Sequence, residues 1–419
     1  MSFSSSSESN AGWGRWTPIA FLWAAFCLAY MARQSLYSTF GLLRSELGFS
    51  EAQLGLTTTV FNWVYGISNA LGGSVADRVS KRNVIAGSLV FWSISLVVTS
   101  AATSPGMLLA GRSLMGLAQS FYIPAALALI ASLHDSGTRS RAITLHGTGQ
   151  SVGVMAGAYY GAAVSGEVGW RAMLGMLAGF TCVYALVLRF GLRGLVEPAP
   201  GGGSKPEAAG PGAGLLRLFS IPTYALVCLC AVAVGANVWM LYTWLPDLLR
   251  ERFQLPMTQA AVIATTSIEI PMMAGLFAGA FLGDWVSKRW RIGRLYVMVA
   301  GLLLACASFY GIAAGGTLFE VRLATGAYAV FKGFYTANYV ACVFDLIPAE
   351  SRGLGVGAIN MISAFGGSLS PFLLGALKPY FSTVVAFGLM SAFGVACAMA
   401  LAVAGYWSFP RSSQGGQRA

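Results

Sequence analysis

Three basic residues lie inside long apolar segments of this sequence: Arg33, Arg112 and Lys332. A charge near the centre of a bilayer costs about 2.5–3.5 kcal/mol on insertion scales, so each of them needs water, a partner or a ligand. An arginine also offers a planar fork of N–H donors that fits a carboxylate through two hydrogen bonds. The chemistry that these residues favour is therefore the binding of a small organic anion.

The first half of the sequence gives these arginines no counter-ion inside an apolar segment, because its acidic residues all stand at segment ends or between segments. Tyr30 and Tyr37 lie three residues before and four residues after Arg33. In a helix these three side chains share a face. Two hydroxyl-bearing rings beside a guanidinium suit a hydroxylated acid. The alternative, in which Arg33 is structural and bonds helix-end carbonyls, stays open.

Arg112 lies near the start of its apolar segment, with Gln119 seven and Tyr122 ten residues further on. We expect Arg112 to act in gating or structure rather than in direct contact with a substrate. Gln119 and Tyr122 complete the candidate binding residues of the first half. His146, at the start of the fifth segment, is either a hydrogen-bonding loop residue or a second candidate for proton transfer.

Lys332 opens the most polar stretch inside an apolar segment of the second half, and Tyr335 and Asn338 follow it. We expect these three residues to line a cavity. Glu269 is the one carboxylate deep inside an apolar segment of that half. It either pairs with Lys332 or carries a proton, and the sequence leaves both interpretations open.

The seventh apolar segment is aromatic and partly polar, and it contributes Asn237 and Tyr242 as further candidate cavity residues. A sugar-like ring could stack there. Tyrosine and tryptophan near helix ends are, however, often anchors at the membrane interface. Both interpretations of this segment stay open.

The elements that must position these residues are membrane-spanning helices. The chain is 56% hydrophobic and 10% charged, with a mean hydropathy of +0.67, whereas soluble domains carry about 25% charged residues. Each of twelve apolar segments is long enough to cross a hydrocarbon core of about 30 Å. The segments are residues 16–43, 51–74, 83–104, 107–134, 142–166, 170–192, 220–248, 258–283, 293–314, 318–346, 353–377 and 381–407.

A repeated phrase shows that the chain is an internal duplication. Gly72–Arg82 ends the second segment, and Gly279–Arg289 ends the eighth; each has a small-residue helix end, an Asp and then a basic cluster. Duplicated polytopic proteins are often transporters with their site between the repeats. We expect the acidic and basic residues of the phrase to act as gate and scaffold. They are Asp77, Arg78, Arg82, Asp284 and Arg289.

The distribution of positive charge along the chain predicts its orientation in the membrane. Seventeen lysines and arginines lie at the termini or in even-numbered loops, and six lie in odd-numbered loops. The positive-inside rule therefore predicts that both termini are cytoplasmic. The net charge of +11 is explained by this distribution, so we expect no nucleic-acid partner.

A Pro/Gly/Ala-rich linker over Glu197–Gly214 divides the apolar segments six and six. The predicted organisation has two bundles, two tails and one linker: residues 1–15, 16–192, 193–219, 220–407 and 408–419. The first apolar run is too long for a cleavable signal peptide. The seven cysteines have neither CxxC pairing nor histidine partners, so we expect small buried hydrophobes and no metal site.

Glycines indicate where helices approach closely. The fifth segment holds Gly149, Gly153, Gly157 and Gly161 at four-residue intervals, which puts a smooth stripe on one helix face. The eleventh segment echoes this pattern at positions 353, 357, 366 and 367. Nucleotide-binding loops are disfavoured here because no strand precedes these glycines.

Taken together, these motifs resemble the major facilitator superfamily of secondary transporters. Gly73–Arg82 resembles its loop motif between helices two and three, Arg112–Gly116 its helix-four motif, and Gly169–Arg171 the start of its helix six. The resemblance implies an all-α fold of twelve transmembrane helices in two pseudo-symmetric six-helix bundles around a cavity that opens to alternate sides.

Within that superfamily, Tyr30–Arg33 resembles the first-helix motif of the anion:cation symporter branch, which contains importers of sugar acids and organic anions. Ala32 stands where that branch usually has Asp or Asn. The resemblance therefore supports an anion site at Arg33 but supplies no proton carrier there.

We therefore expect a transporter and not an enzyme: a proton-coupled importer of a small organic anion, monomeric, without a cofactor, in a cell membrane such as a bacterial inner membrane. The alternative is a facilitator or exporter of neutral sugars or lipophilic compounds. The sequence leaves the substrate and the direction of transport open.

The predicted orientation can be tested at Ser80 in the loop after the second segment. In a cysteine-free background, Ser80→Cys should react with a membrane-impermeant maleimide only after the membrane is opened, because this loop is cytoplasmic. Thr317→Cys, in an odd-numbered loop, is the control and should be labelled in intact cells. Labelling of Ser80→Cys in intact cells would contradict the orientation.

Overall fold

A computed structural model describes residues 14, 16–135, 137–193, 195, 216–290, 292–348 and 351–408. Nearly all of this part is helical, and it contains no strand. The predicted N-terminal tail, the C-terminal tail and most of the predicted linker lie outside the described residues. The side chain of Asp77 does so as well.

Contacts divide the chain into two compact units. Unit 1 comprises Met1–Lys205 and Thr243–Val262, and unit 2 comprises Pro206–Tyr242 and Ile263–Ala419. This division differs from the predicted one because Thr243–Val262 contacts the rest of unit 1. Thr243 lies within hydrogen-bond distance of Thr58, and Asp247 pairs with Arg44. The other boundaries of the two predicted bundles stay a prediction.

Unit 1 is built mainly from helices of one continuous stretch, with a 3-10 turn at Tyr37–Thr39. α7 is 53 residues long and is broken at Gly169, whose φ of 81° reverses the chain without a loop. The helices are α1 Thr17–Ser35, α2 Phe40–Leu47, α3 Glu51–Arg78, α4 Lys81–Ser100, α5 Pro105–Ser120, α6 Tyr122–Leu133 and α7 Arg139–Gly191.

Seven helices of the described residues follow Ser220, and the end of the first and the start of the second belong to unit 1. Within unit 2, α10 packs against α11 and α14. The helices are α8 Pro222–Phe253, α9 Met257–Arg289, α10 Gly293–Ala314, α11 Leu318–Leu346, α12 Arg352–Gly367, α13 Ser370–Leu377 and α14 Thr383–Ser408.

All twelve predicted segments are helical. Seven correspond to single helices, three are each broken into two, and the fifth and sixth are the two arms of α7. Nine helical stretches of the described residues are long and apolar enough to cross a membrane, and α7 is one of them. The 28-residue α3 and the 29-residue α11 are long enough but less apolar, and they carry several of the polar candidates.

The glycine stripe of α7 places its backbone directly on that of α1. A Cβ atom at Gly153 would lie 2.3 Å from the Cys27 carbonyl oxygen, and one at Gly157 would lie 2.5 Å from that of Met31. At Gly161 the corresponding distance to Ser35 is 2.4 Å. The predicted smooth helix face is confirmed, and no larger residue fits unless the helices separate.

Glycines also bring two helices of unit 2 into close backbone contact. A Cβ atom at Gly275 of α9 would lie 2.2 Å from the Val330 carbonyl oxygen of α11, and Gly333 meets Gly275 in return. The predicted stripe in the eleventh segment is only partly present, because a Cβ atom at Gly357 would meet no described atom within 4 Å.

The cysteines depart from the prediction at two positions. All seven are free, and five are buried in unit 2, where they pack in its hydrophobic core. Cys182 is exposed on α7 and Cys27 of α1 is half-buried, so the prediction that every cysteine is buried was wrong at these two. An apolar segment with one face towards lipid has exposed as well as buried small residues, and composition alone does not separate them.

We predict that Gly157→Ala lowers the thermal unfolding midpoint, because the added methyl group forces α1 and α7 apart; overpacking of this kind costs about 1–3 kcal/mol. Gly147 of the same helix has no neighbour within 4 Å of its Cβ position. Gly147→Ala should leave the midpoint unchanged or raise it, since alanine favours a helix. Equal midpoints for the two variants in detergent would contradict the proposed close packing.

Candidate functional site

Arg33 lies at the C-terminal end of α1, between two of the residues that α7 holds in place. Its side chain is buried, with 7% of its surface exposed. The Nε–H donates to Oε1 of Gln119 on α5 at 2.7 Å. The Gln119 amide nitrogen donates in turn to the Ala29 carbonyl at 3.4 Å. Gln119 therefore fixes one edge of the guanidinium.

Three aromatic rings surround the guanidinium of Arg33. Its Cζ atom lies 4.5 Å from the ring centroid of Tyr30, 4.7 Å from that of Phe61 and 5.0 Å from that of Tyr65. These distances fall within the range of cation–π attraction. The two terminal nitrogens donate no hydrogen bond to any residue that the structure describes. The fork of Arg33 is therefore oriented by its surroundings yet available to an anion.

Phe61 and Tyr65 were not predicted. They stand four residues apart on α3 and therefore on one face of it, in a stacked arrangement with centroids 6.0 Å apart. The spacing is visible in the sequence, but a pair of aromatics in an apolar helix is equally typical of core packing. Only the contact of both rings with Arg33 of α1 distinguishes a role at the site from core packing.

Arg112 is buried more deeply, with 1% of its surface exposed. Its Nε–H donates to the Thr57 carbonyl at 3.3 Å, and one terminal nitrogen approaches the Met115 sulfur at 3.4 Å. The other terminal nitrogen has no hydrogen-bond partner among the described residues. Arg112 also lies 4.9 Å from the centroid of Phe61, so the same ring contacts Arg33 and Arg112.

Tyr37 does not stand where the sequence pattern places it. Its ring faces Arg112, with 5.9 Å between Cζ and centroid, and it makes no such contact with Arg33. The prediction assumed that α1 continues for four residues past Arg33. The helix ends at Ser35 and Tyr37 begins a 3-10 turn. The predicted contact of its ring with Arg33 was therefore wrong, and its role in binding stays a prediction.

No described carboxylate pairs with Arg33 or Arg112. The ion pairs of unit 1 lie at helix ends instead, where Arg171 pairs with Glu46 and Arg44 pairs with both Glu51 and Asp247. The interior of unit 1 therefore holds two guanidinium charges whose described hydrogen-bond partners are neutral. An anionic ligand is the group that would complement them.

Tyr122 and His146 form a hydrogen-bonded pair. The Tyr122 hydroxyl donates its proton to the Leu22 carbonyl and lies 3.1 Å from Nε2 of His146. His146 Nε2 must then be the donor to Tyr122. The imidazole stacks on Phe26 at 4.6 Å and is buried. In this structure both side chains bridge helices, and their predicted transport functions stay predictions.

In unit 2, Lys332 and Glu269 are both buried, with 8% and 2% exposed. The Lys332 ammonium donates to the Met272 sulfur at 3.1 Å, and Glu269 accepts a hydrogen bond from the Tyr242 hydroxyl. Lys332 forms no ion pair within 4.0 Å with a carboxylate that the structure describes. Of the two interpretations of Glu269, direct pairing with Lys332 is therefore not the arrangement present.

The remaining polar candidates of unit 2 differ in how many hydrogen bonds their side chains form. Asn338 uses its amide nitrogen on two carbonyls, of Gly279 and Phe334, each at 2.9 Å, and so bridges α9 and α11. Asn237 is 1% exposed, and neither amide atom has a hydrogen-bond partner among the described residues. The Tyr335 hydroxyl likewise has none. Asn338 is thus committed to packing, whereas Asn237 and Tyr335 retain hydrogen-bonding capacity.

Charged residues of the repeated Asp-basic phrase interact with the ends of neighbouring helices. Arg82 donates to the carbonyls of Leu192 and Arg193 at 3.0 and 2.9 Å, where α7 ends. Asp284 forms an ion pair with Arg294, which joins the end of α9 to the start of α10.

Two other basic residues of the phrase lie near the surface. The guanidinium of Arg289 covers the Trp285 ring at 4.0 Å. Arg78 is exposed at the end of α3. The side chain of Asp77 lies outside the described part of the structure, and the gating functions of the phrase stay predictions.

Comparison with known proteins adds family and fold. The model of the Major Facilitator Superfamily matches residues 22–371. The voltage-gated purine nucleotide uniporter of Mus musculus is 26% identical over 402 residues, which cover 89% of this chain and 86% of the relative. The probable galactarate/D-glucarate transporter of Bacillus subtilis is 24% identical over 396 residues, 86% of this chain and 85% of the relative.

The fold is also found among solved structures. A bacterial homologue of the human lysosomal transporter Spinster, solved in an inward-facing and unoccupied conformation, superposes with a TM-score of 0.73. The two chains are 19% identical, and the match covers 97% of each. At this identity the likeness concerns the fold alone.

Proposed function

Because the chain belongs to the Major Facilitator Superfamily, and so is a multi-pass membrane transporter and not an enzyme, we propose that it transports a small organic anion by alternating access. The observation that carries the proposal is the environment of Arg33. Its fork has no described partner, three rings hold its plane, and Gln119 holds its remaining edge. A carboxylate is the ligand that such a fork fits best.

A sugar acid is the anion that the surroundings of Arg33 favour. Tyr30 and Tyr65 place hydroxyl-bearing rings against the guanidinium, a setting that suits a hydroxylated carbon chain. The names of two relatives support the proposal, since one refers to galactarate and D-glucarate and the other to purine nucleotides, all of which are anions.

The alternative substrate class is a neutral sugar or a lipophilic compound, moved by facilitation or export. It is less well supported because unit 1 keeps Arg33 and Arg112 buried with neutral partners. A neutral ligand would add apolar or hydroxyl surface without complementing either charge. We therefore favour the anion.

Import of an anion into a cell with an inside-negative potential needs an added positive charge. Each elementary charge moved against 100 mV costs about 2.3 kcal/mol. Glu269 is the proposed proton site because it is buried and bonded to the Tyr242 hydroxyl rather than to a cation. The proposal includes a cell-membrane location, cytoplasmic termini and a monomeric carrier.

Arg33→Lys should raise the KM for the transported anion clearly, by about tenfold or more, because a lysine keeps the charge but loses the two-pronged donor geometry. The measurement is counterflow in proteoliposomes with labelled D-glucarate, galactarate and a purine nucleotide. Arg322→Lys, at an exposed position of α11, is the matched control and should leave KM unchanged. An Arg33→Ala protein with wild-type affinity would refute the anion site.

Glu269→Gln should abolish accumulation of the anion driven by a pH gradient, because the amide cannot take up a proton. Counterflow needs no net proton movement and should continue. Glu320→Gln, at the exposed start of α11, controls for the loss of a carboxylate elsewhere and should still accumulate substrate. If Glu269→Gln accumulates the anion against its gradient, the proton is carried by another group, with His146 the next candidate.

A further inference from the structure

Phe61 occupies the point where α1, α3 and α5 meet, and its side chain is fully buried. The guanidinium carbons of Arg33 and Arg112 lie 4.7 and 4.9 Å from the centroid of its ring. The backbone at Phe61 is equally confined, because a Cβ atom at Gly116 of α5 would lie 2.5 Å from the Phe61 carbonyl oxygen. One ring therefore contacts both buried cations of unit 1.

The two like charges packed around this ring have only neutral hydrogen-bond partners among the described residues. Arg33 donates only to the Gln119 amide oxygen, and Arg112 donates to one carbonyl and approaches one thioether. One terminal nitrogen of Arg112 has no described partner. The face of an aromatic ring is the negative part of its quadrupole and attracts a cation, more strongly where water is excluded.

We propose that Phe61 is a positioning residue of the anion site, whose electron-rich ring holds Arg33 in the orientation that binds substrate and also attracts the neighbouring Arg112. The proposal rests on the proposed function. Phe61 does not bind the anion itself; it acts through Arg33. The competing explanation is that the ring only fills space between three helices.

Ring charge and ring size can be separated experimentally. Fluorine atoms on the ring withdraw electron density from its face while changing its volume little. We would incorporate phenylalanine, 4-fluoro-, 3,5-difluoro- and 3,4,5-trifluorophenylalanine at position 61 of the full chain. For each protein we would measure the thermal unfolding midpoint in detergent without substrate, and KM and kcat for D-glucarate counterflow.

The midpoint should fall stepwise with the number of fluorine atoms, and KM should rise stepwise to about tenfold for the trifluoro ring, equivalent to about 1.4 kcal/mol. The kcat should change by less than about twofold, because only the orientation of Arg33 is affected. In an Arg33→Gln background the fall in midpoint should become smaller, since one of the two cations is gone.

Phe309 provides the matched control. It is as fully buried as Phe61 and stacks on Phe387 with centroids 4.5 Å apart, and no cation–π contact is present at its ring among the described residues. The same fluorinated series at Phe309 should give no stepwise fall in the unfolding midpoint and no stepwise rise in KM. A fluorine-dependent trend of equal size at both positions would overturn the proposal.

The two proposals fail in different ways. If wild-type counterflow is intact but midpoint and KM stay constant across the Phe61 series, the ring is a space filler and the inference is wrong, whatever Phe61→Leu does to folding. If no anion of the panel is bound or transported by the wild-type protein, the proposed function is wrong. The midpoint series alone then decides whether Phe61 holds the arginines.

Discussion

The contact of α1 with α7 is the constraint on which the proposed site depends. Along four helical turns the two backbones touch where α7 has only glycine, so α1 has one position and one rotation available to it. Arg33 lies between the last two of these contacts, at Met31 and Ser35. In a membrane, where burial of apolar surface does not drive helices together, this kind of close packing is the main source of precision.

A helix fixed in this way can hold a charge that its surroundings satisfy only in part. Gln119 and three rings constrain Arg33 on several sides, but the fork has no described partner. The buried charges of unit 2 have other partners. The Lys332 ammonium donates to the sulfur of Met272, and Glu269 accepts a hydrogen bond from the Tyr242 hydroxyl. Rigid packing and incompletely satisfied polar groups thus occur side by side, and a binding site needs both.

The sequence predicts helices and buried charges well and side-chain partners poorly. Length and hydropathy were sufficient for the twelve helical segments, and the cost of a buried charge identified Arg33. Tyr37 was misplaced because nothing in the sequence marks the end of α1 at Ser35. The two carbonyls that accept hydrogen bonds from Asn338 were not predicted, because the register between α9 and α11 is a tertiary property.

The hydrogen bond between Arg33 and Gln119 also determines from which side a ligand can approach the guanidinium. A carboxylate can bind an arginine side-on, through Nε and one terminal nitrogen, or end-on, through both terminal nitrogens. Gln119 already accepts the Nε–H of Arg33, so the side-on geometry is closed and the end-on geometry is the one left for a ligand. A substrate bound in this way would lie along the axis of the Arg33 side chain rather than beside it.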